Sequence, residues 1–188
     1  MVIDNKILDD LSAQAKANPR LRQAMDLRNS PEDLSQRMLN ALEPGTIMPI
    51  HRHLASSETV VLLRGKICWH FYDDAGNETE SVVLDANGDV RCINVEQARW
   101  HSLECLESGS VLMECKDGKY EPLGPEDILE SGLVDRLKAF LESEARSCSM
   151  DSACVTPEYV YRMWGGTVAI ETITEALNLC KRELLYER

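Results

Sequence analysis

Two histidines separated by a single residue are the first feature of this sequence that could carry chemistry. His51 and His53 flank Arg52, and successive side chains on a strand alternate between its faces, so both imidazoles are predicted to point the same way. A short turn follows, and a hairpin opened by Glu58 would bring its carboxylate beside the two rings. His101 lies much further along the chain at the start of another predicted strand, and it reaches the same point if the sheet closes.

Three imidazoles and one carboxylate form a mixed nitrogen and oxygen donor set that suits a borderline divalent metal. Zinc would take its nitrogen ligands at ~2.0–2.1 Å. Iron, manganese or nickel would use the set octahedrally and leave two positions for substrate or water, which is typical of a catalytic centre. The sequence leaves the choice among zinc, iron, manganese and nickel open. Glu58 could also leave the metal and act as a catalytic base.

The elements that must position these residues divide the chain into three regions. Residues 1–36 are predicted to be an N-terminal helical segment, because apolar residues recur at helical spacing up to Asn18-Pro19. Ser30-Pro31 signals a second helix start or a single turn. Residues 37–124 are predicted to be a β-barrel, and residues 125–188 a C-terminal helical extension with a short helix from Thr156-Pro157.

The β prediction for residues 37–124 depends on short apolar runs that alternate with turn sequences. Many short strands at near-regular spacing are typical of a sandwich or barrel. The predicted strands are Thr59 to Leu63, Ile67 to Tyr72, Ser81 to Leu84, Val90 to Val95 and Ser110 to Cys115.

The amino-acid composition argues against two classes of binding partner. The 188 residues include 20 Lys and Arg against 32 Asp and Glu, a formal net charge of −12. This excess of acid argues against a nucleic-acid binder and against adsorption to anionic lipid. No apolar run approaches the length of a membrane span, and the first residues lack the pattern of a signal peptide. We therefore expect a cytoplasmic protein whose seven cysteines are free thiols.

The spacing around the two histidines resembles a known family motif. The string Gly45-x5-His51-x-His53-x4-Glu58-x6-Gly65 matches the first motif of the cupin superfamily without departure. The second cupin motif is degenerate here, since Ala98 stands at its turn glycine and only His101 is retained. The resemblance implies a jelly-roll barrel, the double-stranded β-helix, with the motif histidines and glutamate as metal ligands.

A narrower resemblance extends over about residues 19–124. The segments from Gln36 to Gly45, from Pro49 to His53, at Trp100-His101 and from Glu114 to Tyr120 are similar to WbuC-type cupin-fold metalloproteins. That family is associated with bacterial surface-polysaccharide gene clusters. The resemblance implies the fold and a bound metal more firmly than it implies a reaction.

Four further residues are candidates for contact with a substrate. They are Arg37, Glu114, Lys116 and Tyr120. An inward Arg37 could clamp a carboxylate or phosphate, while an outward one would be a surface or ion-paired arginine. Glu114 and Lys116 share one strand face, which allows either a salt bridge inside the barrel or a polar contact to a ligand. His70 falls outside the motif and is interpreted as a strand histidine satisfied by a neighbour.

These features leave more than one function open. A bound metal could act as a Lewis acid on a sugar derivative or keto acid in isomerase, epimerase or lyase chemistry, or Fe(II) could activate dioxygen. A non-catalytic sensor or binding module for a small molecule is the alternative. The C-terminal helices could dock a partner or pack across a homodimer through Leu129, Leu133, Leu137 and Leu141.

Overall fold

The structure is a computed structural model that describes residues 1–129, 156–163, 170, 173–174 and 176–178. The chain divides into two compact units. The first comprises Met1–Met48 and Arg52–Glu121, and the second comprises Pro49–His51 and Pro122–Arg188. Within the described residues, no helix is both long and apolar enough to cross a membrane.

The first unit begins with helix α1, Asn5–Ala17. Asp4 caps its N-terminus by accepting a hydrogen bond from the backbone N–H of Ile7 at 3.1 Å, and Asn18 ends it, as the sequence predicts. The buried face of α1 includes Leu8, Leu11 and Ala15. These residues pack on the outer face of a sheet, against Leu39, Ala41 and Val111.

Eight strands follow, all paired antiparallel. They are β1 (Arg22–Asp26), β2 (Ser35–Leu42), β3 (Glu58–Arg64), β4 (Lys66–Tyr72), β5 (Glu78–Asp85), β6 (Cys92–Val95), β7 (Trp100–Cys105) and β8 (Ser110–Asp117). One sheet has the order β1-β2-β8-β3-β6 and the other the order β5-β4-β7. The last strand, β8, lies between β2 and β3. The eight strands divide between two sheets with Greek-key connections, which is the arrangement of a jelly roll.

The barrel interior is filled by alternate residues of both sheets. These residues form one apolar cluster: Leu42, Val60, Leu62, Ile67, Trp69, Phe71, Leu84, Val95, Leu103, Cys105 and Leu112. The predicted fold class, a mainly β jelly roll with an N-terminal helix, is confirmed. The five predicted strands coincide with β3, β4, β5, β6 and β8 to within a few residues at their ends.

Two local predictions need correction. The N-terminal segment is not helical beyond Ala17, because Arg22–Asp26 pairs with the edge of β2 as strand β1. The motif histidines do not lie on a regular strand. The chain from 46 to 57 forms a single isolated bridge, between His51 and Ile128. Pro49 has no N–H to donate to a ladder, so a continuous strand is disfavoured there.

Ser30-Pro31 opens a turn, in which the N–H of Asp33 donates to the carbonyl oxygen of Ser30 at 3.1 Å. The short helix predicted from Thr156-Pro157 is present as α2, Pro157–Met163. Of the predicted leucine stripe, only Leu129 is among the described residues, and the last three cysteines lie outside them.

Gly65, which the sequence singles out as the last glycine of the motif, joins β3 to β4 with φ +80°. A Cβ at this position would lie 2.8 Å from the Cα of Ser110. Gly118 has a similar φ of +88°, but a Cβ there would meet nothing within 4 Å. Alanine variants of Gly65 and Gly118 therefore separate the cost of the left-handed backbone, which both share, from the cost of the steric conflict, which only Gly65 has.

We predict that Gly118→Ala lowers the free energy of unfolding by about 0.5–1 kcal/mol, because a left-handed residue with a Cβ costs about 1–2 kcal/mol and the reduced freedom of the unfolded chain returns about half of that. Gly65→Ala should cost about 1–3 kcal/mol more, because the added methyl group forces β8 away. Urea denaturation of both variants measures the difference. Equal losses of stability would contradict the close packing of Gly65 on Ser110.

Candidate metal centre

The inner faces of three strands meet at one polar cluster within the first unit. Glu58 continues the inward face of β3 beyond Val60, and His101 continues that of β7 beyond Leu103. Lys116 on β8 stands directly opposite Glu58 in the ladder between the two strands. The apolar cluster of the barrel therefore forms the floor beneath these three polar side chains.

Three of the four predicted ligands converge. The Glu58 Oε2 atom lies 2.9 Å from His53 Nε2 and 4.0 Å from His101 Nε2. The ring centroids of His53 and His101 are 5.6 Å apart. The side chains of Glu58 and His101 are only 4% and 1% exposed, so this is a buried cluster rather than a surface patch.

The protonation of His101 is fixed by its neighbours. Its Nδ1 atom lies 2.8 Å from the carbonyl oxygen of Arg99, which can only accept, so the ring proton is on Nδ1 and Nε2 carries a lone pair. The ring stacks on Trp69 with centroids 5.4 Å apart. Burial lowers the pKa of His101 to about 4, against the attraction of Glu58. The ring is therefore a neutral donor at neutral pH, as metal ligation requires.

Glu58 is a buried carboxylate that stays ionised. Burial by itself raises its pKa, but the charge of Lys116 and the contact with His53 outweigh burial and hold the pKa of Glu58 well below its usual range. Lys116 Nζ lies 3.3 Å from Glu58 Oε2. Lys116 therefore supplies positive charge that this buried carboxylate requires.

Glu114 and Lys116 both belong to this cluster. Lys116 forms an ion pair with Glu114 Oε1, and its Nζ also lies 3.2 Å from His53 Nε2. Asn40 on β2 donates from Nδ2 to Glu114 Oε2 at 3.0 Å. Of the two roles that the sequence allows for this pair, the salt bridge inside the barrel is formed.

His51 lies in the three-residue segment Pro49–His51, which belongs to the second unit. Its Nδ1 atom lies 3.0 Å from the carbonyl oxygen of Pro49, so Nδ1 carries the proton and Nε2 the lone pair. Because only Arg52 separates it from His53, the Cα atoms of the two histidines are at most about 7 Å apart. His51 thus has the tautomer that a metal ligand needs, and one residue separates it from His53.

Arg37 and Tyr120 are not brought into the cluster. Arg37 shares the outer face of β2 with Leu39, and its guanidinium pairs with Asp33 at 2.8 Å. The outward, ion-paired alternative for Arg37 is thus the one that forms, since strand alternation puts Asn40 rather than Arg37 inside. Tyr120 is 39% exposed, with the guanidinium of Arg28 5.4 Å from the centre of its ring.

His70 contacts Glu78, with Nδ1 and Oε2 3.2 Å apart. It lies on the opposite face of β4 from the inward Trp69 and Phe71, so it matches the interpretation as a strand histidine satisfied by a neighbour.

Two positioning residues escape prediction from the sequence alone. Asn40 orients Glu114, and its only signal is that it alternates with the buried Leu39 and Ala41. Ala98 adopts φ +62° in the turn before β7, and its N–H donates to the carbonyl oxygen of His53 at 2.9 Å. Its signal is available, because Ala98 stands where the cupin motif has glycine.

The donor set fits a divalent metal. One ligand atom each from His53, Glu58 and Glu114 lie within 4.8 Å of one another, and the neutral His101 adds a lone pair 4.0 Å from Glu58. Nitrogen and carboxylate oxygen donors of this kind suit zinc, iron, manganese or nickel. In this structure Lys116 places one positive charge beside the two carboxylates of the cluster, Glu58 and Glu114.

Comparison with known proteins gives a partial family match. The model of a family described as a domain of unknown function, DUF6016, matches residues 3–84. None of the curated protein sequences matches the chain.

Several solved structures are similar to this chain. KdgF from Halomonas sp. is 15% identical with a TM-score of 0.43, over 53% of this chain and 82% of that protein. CapF, a capsular polysaccharide assembling protein from Staphylococcus aureus, is 18% identical with a TM-score of 0.46, over 53% and 27%. Oxalate decarboxylase from Bacillus subtilis is 17% identical with a TM-score of 0.44, over 81% and 33%. The chain thus spans about a third or less of the length of the last two proteins. The jelly-roll fold is shown by the strand order of the two sheets.

We predict that Ala98→Gly stabilises the protein. A left-handed residue with a Cβ costs about 1–2 kcal/mol, and the greater freedom of glycine in the unfolded chain returns about half of that gain, so the net increase should be about 0.5–1 kcal/mol. Thermal denaturation measures it. Ala75→Gly, in an exposed turn without positive φ, is the control and should not stabilise. A loss of stability in Ala98→Gly would show that the turn is unstrained.

Proposed function

We propose that this protein is a metal-binding cupin with one mononuclear site, which acts on or binds a small polar molecule such as a sugar derivative or keto acid. The observation that carries the proposal is the convergence of Glu58, His53 and His101 in a buried cluster. Its donors are an ionised carboxylate and a neutral imidazole of fixed tautomer. A buried set of this kind is costly to maintain unless a cation completes it.

The proposed ligands are His51, His53, Glu58 and His101. His51 is included because its short tether to His53 keeps it within reach and because its ring has the same tautomer as that of His101. Both histidines follow the pattern in which a metal ligand donates its other ring N–H to a backbone carbonyl. Glu58 contributes the single negative charge among the four ligands.

The site residues would have different roles around a bound ion. The metal would polarise a carbonyl or hydroxyl oxygen of the ligand or, if it is Fe(II), bind dioxygen. Glu58 would serve as ligand and, if it leaves the ion, as base. Lys116 and Glu114 would contact the polar groups of the small molecule, while Trp69 and the apolar floor keep water from the inner side of His101.

The resemblance to WbuC-type cupins supports a link to surface-polysaccharide biosynthesis, and this link is part of the proposal. A binding module without turnover is the alternative. A cytoplasmic location and a homodimer remain predictions from the sequence.

We predict that protein purified without a histidine tag contains about one equivalent of a divalent metal, measured by plasma mass spectrometry. Removing a metal ligand should weaken binding more than the 10–100-fold typical of an outer-sphere change, so His101→Gln should lose at least ~100-fold in affinity. His70→Gln is the matched control, because it removes an imidazole from the same barrel outside the cluster. Equal metal content in wild type and both variants would refute the proposed site.

Turnover separates the two functional classes. The metal-loaded protein should convert at least one member of a panel of sugar derivatives and keto acids if it is an enzyme. Loss of turnover in a Glu58→Gln variant loaded with metal at saturating concentration would support Glu58 as the base. Saturable binding measured by calorimetry, with no product detected by mass spectrometry, would instead support the binding module.

A further inference from the structure

Lys116 places an ammonium group inside the cluster, close to three side chains. Its Nζ atom lies 3.3 Å from Glu58 Oε2 and 3.2 Å from His53 Nε2, and it forms an ion pair with Glu114 Oε1. The side chain is only 12% exposed. This lysine is therefore held by the site rather than extended into solvent.

The acceptors of this ammonium are also metal donors. His53, Glu58 and Glu114 form a group whose ligand atoms lie within 4.8 Å of one another. The ammonium and a divalent ion would thus seek the same carboxylates and the same imidazole. Two of the three, His53 and Glu58, are ligands in the proposed metal site.

His53 cannot serve both cations at once. Its Nε2 atom lies 3.2 Å from Lys116 Nζ, and a nitrogen that binds a metal has no lone pair left for a neighbouring ammonium, which the charge of the ion also repels. A metal on His53 Nε2 therefore ends the contact with Lys116. It also draws on the negative charge of Glu58, which repels a second cation from that carboxylate.

We propose that Lys116 is a tethered cation that competes with the metal, so that metal loading moves its ammonium off His53 and Glu58 and leaves it paired with Glu114. This inference rests on the proposed metal site. Asn40 holds Glu114 at 3.0 Å and so keeps a partner ready for the displaced ammonium. The lysine would thereby set metal affinity and remain beside the bound ion as a positive group.

A purely structural ion pair makes the opposite prediction. If Lys116 only braces the two carboxylates, its removal would loosen the cluster and weaken metal binding. If it competes, its removal frees His53 and Glu58 and strengthens metal binding. The sign of the change in affinity therefore distinguishes the two roles.

The experiment compares Zn²⁺ affinity in wild type, Lys116→Met and Lys66→Met by competition with a chromophoric chelator. Lys66→Met removes the same charge from a half-exposed ion pair with Asp85 and corrects for net charge. We expect Lys116→Met to bind Zn²⁺ at least about tenfold more tightly, with Lys66→Met close to wild type. Unchanged or weaker binding in Lys116→Met would overturn the inference.

A second variant covers the case in which Lys116→Met fails to fold with two unpaired carboxylates. The double variant Lys116→Met/Glu114→Gln removes the ion pair as a whole and keeps the local charge of wild type. It should still bind Zn²⁺ several-fold more tightly than wild type, and equal or weaker binding counts against competition. If wild type binds Zn²⁺ but neither variant gains affinity, only this inference fails. If no form binds a divalent metal, the proposed function fails with it.

Discussion

A carboxylate buried beneath the mouth of a β-barrel is the constraint around which the rest of this site is arranged. Glu58 is almost fully enclosed, and an ionised carboxylate in such a place is unstable without positive charge or donors around it. The protein meets this requirement from one strand and one loop, and a second strand brings a further imidazole to the cluster. Lys116 stands opposite on β8, His101 approaches from β7, and His53 arrives from the chain that precedes β3.

The jelly roll is what makes this convergence possible. Its strand order puts β8 beside β3 in one sheet and carries β7 in the other, so residues distant in sequence face one interior. Along each strand the inward positions change from apolar to polar towards the same end, as in Leu62, Val60 and Glu58. The apolar part stabilises the fold by burial, and the polar part is held rigidly above it.

Two cations of different kinds can satisfy the same anionic cluster. An ammonium binds through hydrogen bonds and stays attached to its strand, whereas a divalent ion binds through lone pairs and carries twice the charge. Glu114 and Asn40 lie at the edge of the cluster and give the lysine a position that does not depend on His53. The electrostatics of the site thus depend on Lys116, Glu114 and Asn40 as well as on the proposed ligands.

The sequence by itself determined the donor types, their spacing, the β class of the central region and the first helix with its end at Asn18-Pro19, because these follow from local periodicity and turn chemistry. It indicated that Glu114 and Lys116 share a face, but not which face, nor that Arg37 points away from the interior. Only the tertiary structure decided that Lys116 meets Glu58, that residues 46–57 leave the sheet, and that Ala98 takes the left-handed turn of a glycine. Register between strands distant in sequence is set by the packing of the whole barrel, which no local pattern encodes.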